Sequence, residues 1–304
     1  MSVYAALEAC RLRNQAAVMV TIVSVEGSAP RGEGVRMLVT TTNVLGTIGG
    51  GALEHAALIH AHELLVDDEH SACVQMREWT LGKALSQCCG GRVSLMFDRI
   101  PACDFFVEVF GAGHVGQEAA LLLRRLPCIA TIHDSRDVWL DSLVRNAEVS
   151  DRTQLDIDLH LDRATSPDPG VVRTNHHDEN VFEAVDACPA GSHYLVMTHS
   201  HERDLEVVEA VLSRGDAAFC GLIASRSKAQ AFRSRLSRKG FSDAEVAQLT
   251  APLGARVRTG NTPMEVAIAA LADVLDARAD ARRSRADVGE PSAEESIELL
   301  PAKV

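Results

Sequence analysis

The run from Phe105 to Gly116, FFVEVFGAGHVG, limits the fold more than any other part of the 304-residue chain. An apolar strand-like stretch, Phe105 to Phe110, leads directly into Gly111-Ala112-Gly113-His114-Val115-Gly116. Beyond it, Val115, Ala119, Leu122, Leu123 and Leu126 form an apolar face at close to helical spacing. A strand that turns through G-x-G-x-x-G into a helix opens a dinucleotide-binding βαβ unit. The first glycine permits the tight turn, the second lets backbone approach a pyrophosphate, and the third permits close helix–strand packing. The anion would then rest on free amides at the helix N-terminus. Ile129 to His133 reads as the next strand and ends at Asp134. That is about 20 residues further on, where an acid bonds a ribose 2′-hydroxyl. Arg136 follows and suits a 2′-phosphate, so NAD and NADP both stay open.

After Pro101 the pattern is strands alternating with helices, which predicts a parallel sheet. Tyr194 to Thr198 and Ala217 to Ile223 read as further strands, and Pro263 to about Arg283 as a last helix opened by its proline. Ligands of open parallel sheets bind beyond the carboxyl ends of the strands. The loops Thr198-His199-Ser200-His201 and Ala224-Ser225-Arg226-Ser227-Lys228 should therefore face the same crevice as Gly113 and Asp134. His199 and His201 are candidate metal ligands or proton carriers; the plainer reading is that they bond loop backbone. Asp151 to Thr174 is acidic, holds Pro167 and Pro169, and shows no clear period.

The first hundred residues read differently. A helix over Val3 to Arg13 and a strand over Ala17 to Glu26 lead to a loop, Gly27-Ser28-Ala29-Pro30-Arg31-Gly32-Glu33-Gly34. Short strands over Val35 to Thr41 and Val44 to Ile48 precede Gly49-Gly50-Gly51, which opens a helix to Val66; strands over Ala72 to Leu81 and Arg92 to Phe97 follow. Arg31 and Arg36 beside flexible backbone, with the free amides after Gly51, suit an anionic group; Glu54 in the first turn would compete with such an anion or bond a polar ring edge. Solvated arginines on ordinary tight turns are the equal alternative. Gln87-Cys88-Cys89-Gly90-Gly91 joins the last two strands. A thiolate there can bind a soft metal or carry sulfur as a persulfide, or the pair can be buried and inert. Adjacent cysteines make a poor pair of ligands for one structural zinc.

The reading is an α/β chain: a mixed α+β domain over residues 1–100, a Rossmann-like doubly wound parallel-sheet domain over 104–284, and a flexible tail over 285–304. A net charge of −12 argues against nucleic acid as a partner, although a local anion site remains compatible with it. No apolar run reaches the roughly 20 residues of a membrane span. The first residues lack a continuous apolar stretch, so the expectation is a cytoplasmic protein with reduced cysteines.

Taken together, Gly27-Ser28-Ala29-Pro30-Arg31 through Arg36-Met37-Leu38-Val39, and Gly46-Thr47-Ile48-Gly49-Gly50-Gly51-Ala52-Leu53-Glu54, resemble the N-terminal signature of the XdhC/CoxI family. Gln87 to Arg92 is similar to the cysteine element of its XdhC branch, and Phe110–Gly116, Met197–Asp204 and Gly221–Lys228 resemble its Rossmann domain in the same order. Two departures stand out: Ala224 where the family has glycine, and Asn261 where it has lysine. The resemblance implies a non-catalytic chaperone. It would bind molybdenum cofactor (molybdopterin), protect it while a cysteine desulfurase helps install the sulfido ligand, and insert it into apo-xanthine dehydrogenase or a related molybdenum hydroxylase. Arg31 and Arg36 would then take the phosphate, and Cys88 or Cys89, with Cys89 preferred, would approach molybdenum or its sulfur. An NAD(P)-dependent oxidoreductase or NAD-sensing module is the alternative, and pairing into a homodimer is left open.

Overall fold

The computed structural model describes residues 2–66, 73–81, 91–143, 145, 171–176, 180–257 and 260–289. Gln87, Cys88, Cys89 and Gly90 therefore lie outside the described residues, as does most of the acidic stretch. The chain divides into two compact units, Met1–Asp104 and Phe105–Val304.

In the first unit, α1 (Val3–Leu12) is followed by β1 (Ala17–Glu26), β2 (Arg36–Thr40), β3 (Val44–Gly46), α2 (Gly51–Val66), β4 (Val74–Thr80) and β5 (Arg92–Ile100). The strands form one antiparallel sheet in the order β3-β2-β1-β5-β4. β1 is central, and alternate side chains of a strand point to opposite faces, so it feeds two cores. Val18, Val20 and Ile22 pack with Leu53, Ala57 and Leu64 of α2, while Ala17 and Met19 pack with Ala6 and Cys10 of α1. Ser2 caps α1 through its hydroxyl, which accepts from the Ala5 amide.

The second unit runs β6 (Phe106–Phe110), α3 (His114–Leu123), β7 (Ile129–Asp134), β8 (Val171–His176), α4 (Val181–Asp186), β9 (His193–Val196), α5 (His201–Arg214), β10 (Phe219–Leu222), α6 (Arg226–Arg238), α7 (Asp243–Ala247), β11 (Leu249–Thr250) and α8 (Pro263–Gly289). Among the described residues its six strands are parallel, in the order β8-β7-β6-β9-β10-β11. Counted within the unit this is 3-2-1-4-5-6, the doubly wound arrangement whose chain reverses direction between the first and fourth strands. Helices cover both faces, so β6 and β9 are buried along nearly their whole length.

The expected elements stand at or near their places. Three differ. Residues 171–176, of which 171–174 belong to the stretch that reads as without a period, form the edge strand β8 beside β7. The two-residue β11 was not expected. The last helix continues past Arg283 to Gly289, opened by a reciprocal exchange in which Thr262 N donates to Glu265 and Glu265 N donates to Thr262 Oγ1.

Candidate functional site

The glycine loop takes the form its spacing requires. Gly111 has φ +121°, and a Cβ on it would stand 2.3 Å from the Met197 carbonyl oxygen at the end of β9. A Cβ on Gly116 would stand 2.0 Å from the Gly111 carbonyl oxygen, so α3 packs onto the loop at a distance only glycine permits. Gly113 is the N-cap of α3 with open space beside it, and the His114 ring meets Trp139 edge to face at 5.0 Å.

Asp134 is buried at the end of β7, and its carboxylate closes the loop. Oδ2 accepts from the Ala112 amide at 2.8 Å and from Arg136 Nη2 at 2.7 Å; Oδ1 accepts from Arg136 N at 3.0 Å and Nε at 2.8 Å. Burial opposes the charge, but the Arg136 guanidinium and the Ala112 amide outweigh it and hold the carboxyl below the usual range. The acid and the arginine, expected to read a ribose or its phosphate separately, are paired with each other.

The crevice at the strand ends is lined by Gly111, His133, Asp134, Thr198, His199 and Arg203. His199 therefore shares that lining with Gly111 and Asp134, whereas Gly113 and the Ala224–Lys228 loop, expected at the same crevice, are not part of it. His201 is the exposed first residue of α5 and lies outside that lining. The start of α5 is tied to the start of α6 by a part-buried pair. Lys228 Nζ donates to Asp204 Oδ2 at 2.5 Å, and Asp204 Oδ1 accepts from Thr198 N at 2.8 Å and Thr198 Oγ1 at 2.7 Å. The two conspicuous loops thus share one clamp.

Beneath the crevice lies a row of polar side chains that the sequence reading missed. Pairing sets Glu108 of β6 opposite Tyr194 of β9, and His133 of β7 opposite Asn175 of β8, two residues further toward the crevice. His133 Nε2 and Glu108 Oε2 are 2.7 Å apart, Asn175 Nδ2 is 3.1 Å from His133 Nδ1, and the His133 ring stacks on Phe110 at 4.3 Å. Cys188, just beyond α4, completes a group in which the Glu108, His133 and Cys188 donor atoms all lie within 4.8 Å of one another. Burial, and then the Glu108 carboxylate, push the Cys188 thiol up to about 12. Tyr194, 1% exposed, has its pKa raised by burial and by this thiol beside its hydroxyl. The available signal was Glu108 itself, a carboxylate inside the strand sequence FVEVF.

In the first unit the glycine elements meet. A Cβ on Gly49 (φ +123°) would lie 2.7 Å from Pro30 Cβ and 3.3 Å from Arg31 Cγ, so this turn rests against the Gly27–Gly34 loop. Gly91 packs on the same loop: a Cβ there would stand 2.5 Å from the Ser28 carbonyl oxygen. Arg31 and Arg36 are exposed, with Arg36 over the Tyr4 ring at 5.7 Å. Glu54 takes the turn for itself. Its Oε2 accepts from Ile48 N at 3.0 Å, from Gly50 N at 3.1 Å and from Thr47 Oγ1. Burial opposes its charge, and the bonds from Thr47, Gly50 and Ile48 more than offset it, leaving the carboxyl below its ordinary value.

These features define a two-unit protein whose second unit is a Rossmann domain with a loop-walled crevice at its switch point. The chain belongs to the XdhC family: the XdhC Rossmann domain model matches residues 107–274, and the model described as XdhC and CoxI family matches residues 10–76. A curated relative, the uncharacterized protein YqeB of Escherichia coli (strain K12), is 26% identical over 279 residues; the match spans 90% of this chain but 46% of that protein. A solved Bacillus halodurans structure, described as a xanthine dehydrogenase, matches at 17% identity and a TM-score of 0.41, over 96% of this chain and 98% of that one. Among the described residues, no helix is long and apolar enough to cross a membrane.

Proposed function

We propose that this chain is a cytoplasmic maturation factor. It holds molybdenum cofactor, supports its sulfuration with a cysteine desulfurase, and inserts it into xanthine dehydrogenase or a related molybdenum hydroxylase, without itself turning over a substrate. Family membership supports the accessory role. The observation that carries the cofactor reading is the meeting of three elements in the first unit: the loop bearing Arg31, the Gly49–Gly51 turn, and Gly91 at the end of the cysteine element.

The residue chemistry fits a flat pterin with an anionic phosphate. Glu54 already fills two amides of the turn before α2, those of Ile48 and Gly50, and the exposed guanidinium groups of Arg31 and Arg36 are the cations available to the phosphate. Cys88 and Cys89, next to Gly90 and Gly91 in sequence, supply a soft thiolate toward molybdenum or its sulfur. The bound group would bring the dithiolene-held metal that the client enzyme needs.

The test replaces Cys88 and Cys89 by alanine, singly and together, and measures bound molybdenum and activation of apo-xanthine dehydrogenase. Loss of both in at least one variant is expected, and full retention in all three refutes the thiol role. Arg31→Gln should weaken cofactor retention about tenfold, the worth of one charge-assisted contact of about 1.4 kcal/mol.

A second reading, nucleotide binding at the switch point, draws on the sheet order and the Gly111–Gly116 loop. NAD would have to displace Arg136 from Asp134. Calorimetric titration with NAD and NADP, on wild type and on Arg136→Ala, separates it from the first.

A further inference from the structure

We propose that Glu108, His133 and Cys188 form a binding site for a divalent transition metal of the zinc class, reached from the switch-point crevice and separate from any cofactor held by the first unit. The three donors, a carboxylate oxygen, an imidazole nitrogen and a thiol sulfur, come from β6, β7 and the turn after α4, and lie within 4.8 Å of one another. Donor atoms around a tetrahedral zinc stand about 3.3–3.8 Å apart, given bonds of about 2.0–2.3 Å. Closing the group on an ion therefore needs side-chain shifts on the order of 1 Å. A mixed sulfur, nitrogen and oxygen set suits zinc or cobalt rather than magnesium or calcium. Together the carboxylate and thiolate match the charge of a divalent ion, which lets the group stay buried as a neutral unit.

A polar row in this place calls for a reason beyond folding. All three residues are almost wholly buried, among Phe110, Val185 and Val196. Apolar side chains of similar size would fill such a core at least as stably. The buried Tyr194 hydroxyl beside the thiol adds one more polar group to this part of the core. His133 also lines the crevice, so the donor set has one member at an opening to solvent.

The protons can be followed. In the metal-free state Asn175 Nδ2 faces His133 Nδ1, so Nδ1 accepts and Nε2–H donates to Glu108. Metal at Nε2 requires the ring proton on Nδ1 instead. A half-turn of the Asn175 amide then presents its oxygen to Nδ1–H, the outer support that ligating histidines ordinarily have. The thiol proton leaves to solvent as the sulfur–metal bond forms.

The probe is Co²⁺ alone, added to metal-free protein under reducing conditions, with the sulfur-to-cobalt charge-transfer absorption as readout. One equivalent per chain should give the band in wild type and in the Cys88→Ser/Cys89→Ser double variant. Cys188→Ser should abolish it while leaving the circular dichroism spectrum unchanged. Asn175→Ala keeps all three donors and should weaken binding about 10- to 100-fold, which tests the site even should Cys188→Ser fold poorly. No stoichiometric band in wild type, its survival in Cys188→Ser, its loss in the Cys88/Cys89 variant, or unchanged affinity in Asn175→Ala would each overturn the proposal. Failure of the cofactor reading, tested through Cys88 and Cys89, leaves these outcomes untouched.

Discussion

All four acceptor positions of the Asp134 carboxylate are occupied, one by the Ala112 amide and three by Arg136. The acid therefore works first on its own loop, pinning the glycine turn to the end of β7. A carboxyl whose folded pKa lies below its unfolded value of about 3.9 adds stability that is complete above that value. The contribution is lost as pH falls through the depressed folded value, because protonation removes the charge that Arg136 meets. Asp134→Asn should cost about 1–3 kcal/mol at neutral pH, the usual range for breaking a buried charged hydrogen-bond set. Urea unfolding at pH 7 and at pH 3 checks this: the difference between wild type and variant should be large at the first and shrink toward the second. Glycine at 116 is under a stricter limit, because a Cβ 2.0 Å from the Gly111 carbonyl forces helix and loop apart.

At the scale of elements, the start of α2 shows how a glycine turn can look like an anion site and yet be filled from within. The Gly49 amide donates to the Thr47 hydroxyl oxygen, and Glu54, one turn into the helix, folds back to accept from the Ile48 and Gly50 amides and from the Thr47 hydroxyl. Glu54→Gln keeps the shape but exchanges the charge-assisted acceptor for a neutral one near the helix dipole. The expected cost is about 1 kcal/mol of stability, read as a lower urea midpoint with an unchanged slope. Gly49→Ala should cost more, since its φ of +123° and the Pro30 contact at 2.7 Å both exclude a side chain. Glu54 was legible as a local acceptor because it stands a few residues from the turn, although the amides it takes, those of Ile48 and Gly50, precede the helix instead of opening it. The Rossmann unit was legible for the same reason, its turn, helix and acid falling within one short stretch. β8 was not, because VVRTNH has no apolar alternation and is a strand only through its pairing with β7. The row from Tyr194 to Asn175 was hidden more deeply, since its members are far apart in the chain and only the sheet register brings them together.

For the whole molecule the sign of the charge decides how the cofactor approaches. The chain carries a formal charge of −12, and the proposed cofactor is itself an anion. At long range the two repel, while at short range Arg31 and Arg36 attract. These effects respond differently to salt, because screening acts over a Debye length of about 30 Å at 0.01 M ionic strength and about 8 Å at 0.15 M. Raising salt across that interval should remove the long-range repulsion first, so association speeds up. The two guanidinium contacts, made at bonding distance, weaken less, so dissociation rises only modestly. Stopped-flow uptake of the free pterin complex under anaerobic conditions should show an association rate increasing with salt by up to about tenfold, the low end of electrostatic effects on encounter. A basic-patch mechanism of the kind nucleic-acid-binding proteins use has the opposite slope. A rate that falls steadily with salt would place the binding groups in a locally positive field stronger than two exposed arginines on an acidic surface can make. In that case the phosphate would have to be held by residues other than Arg31 and Arg36.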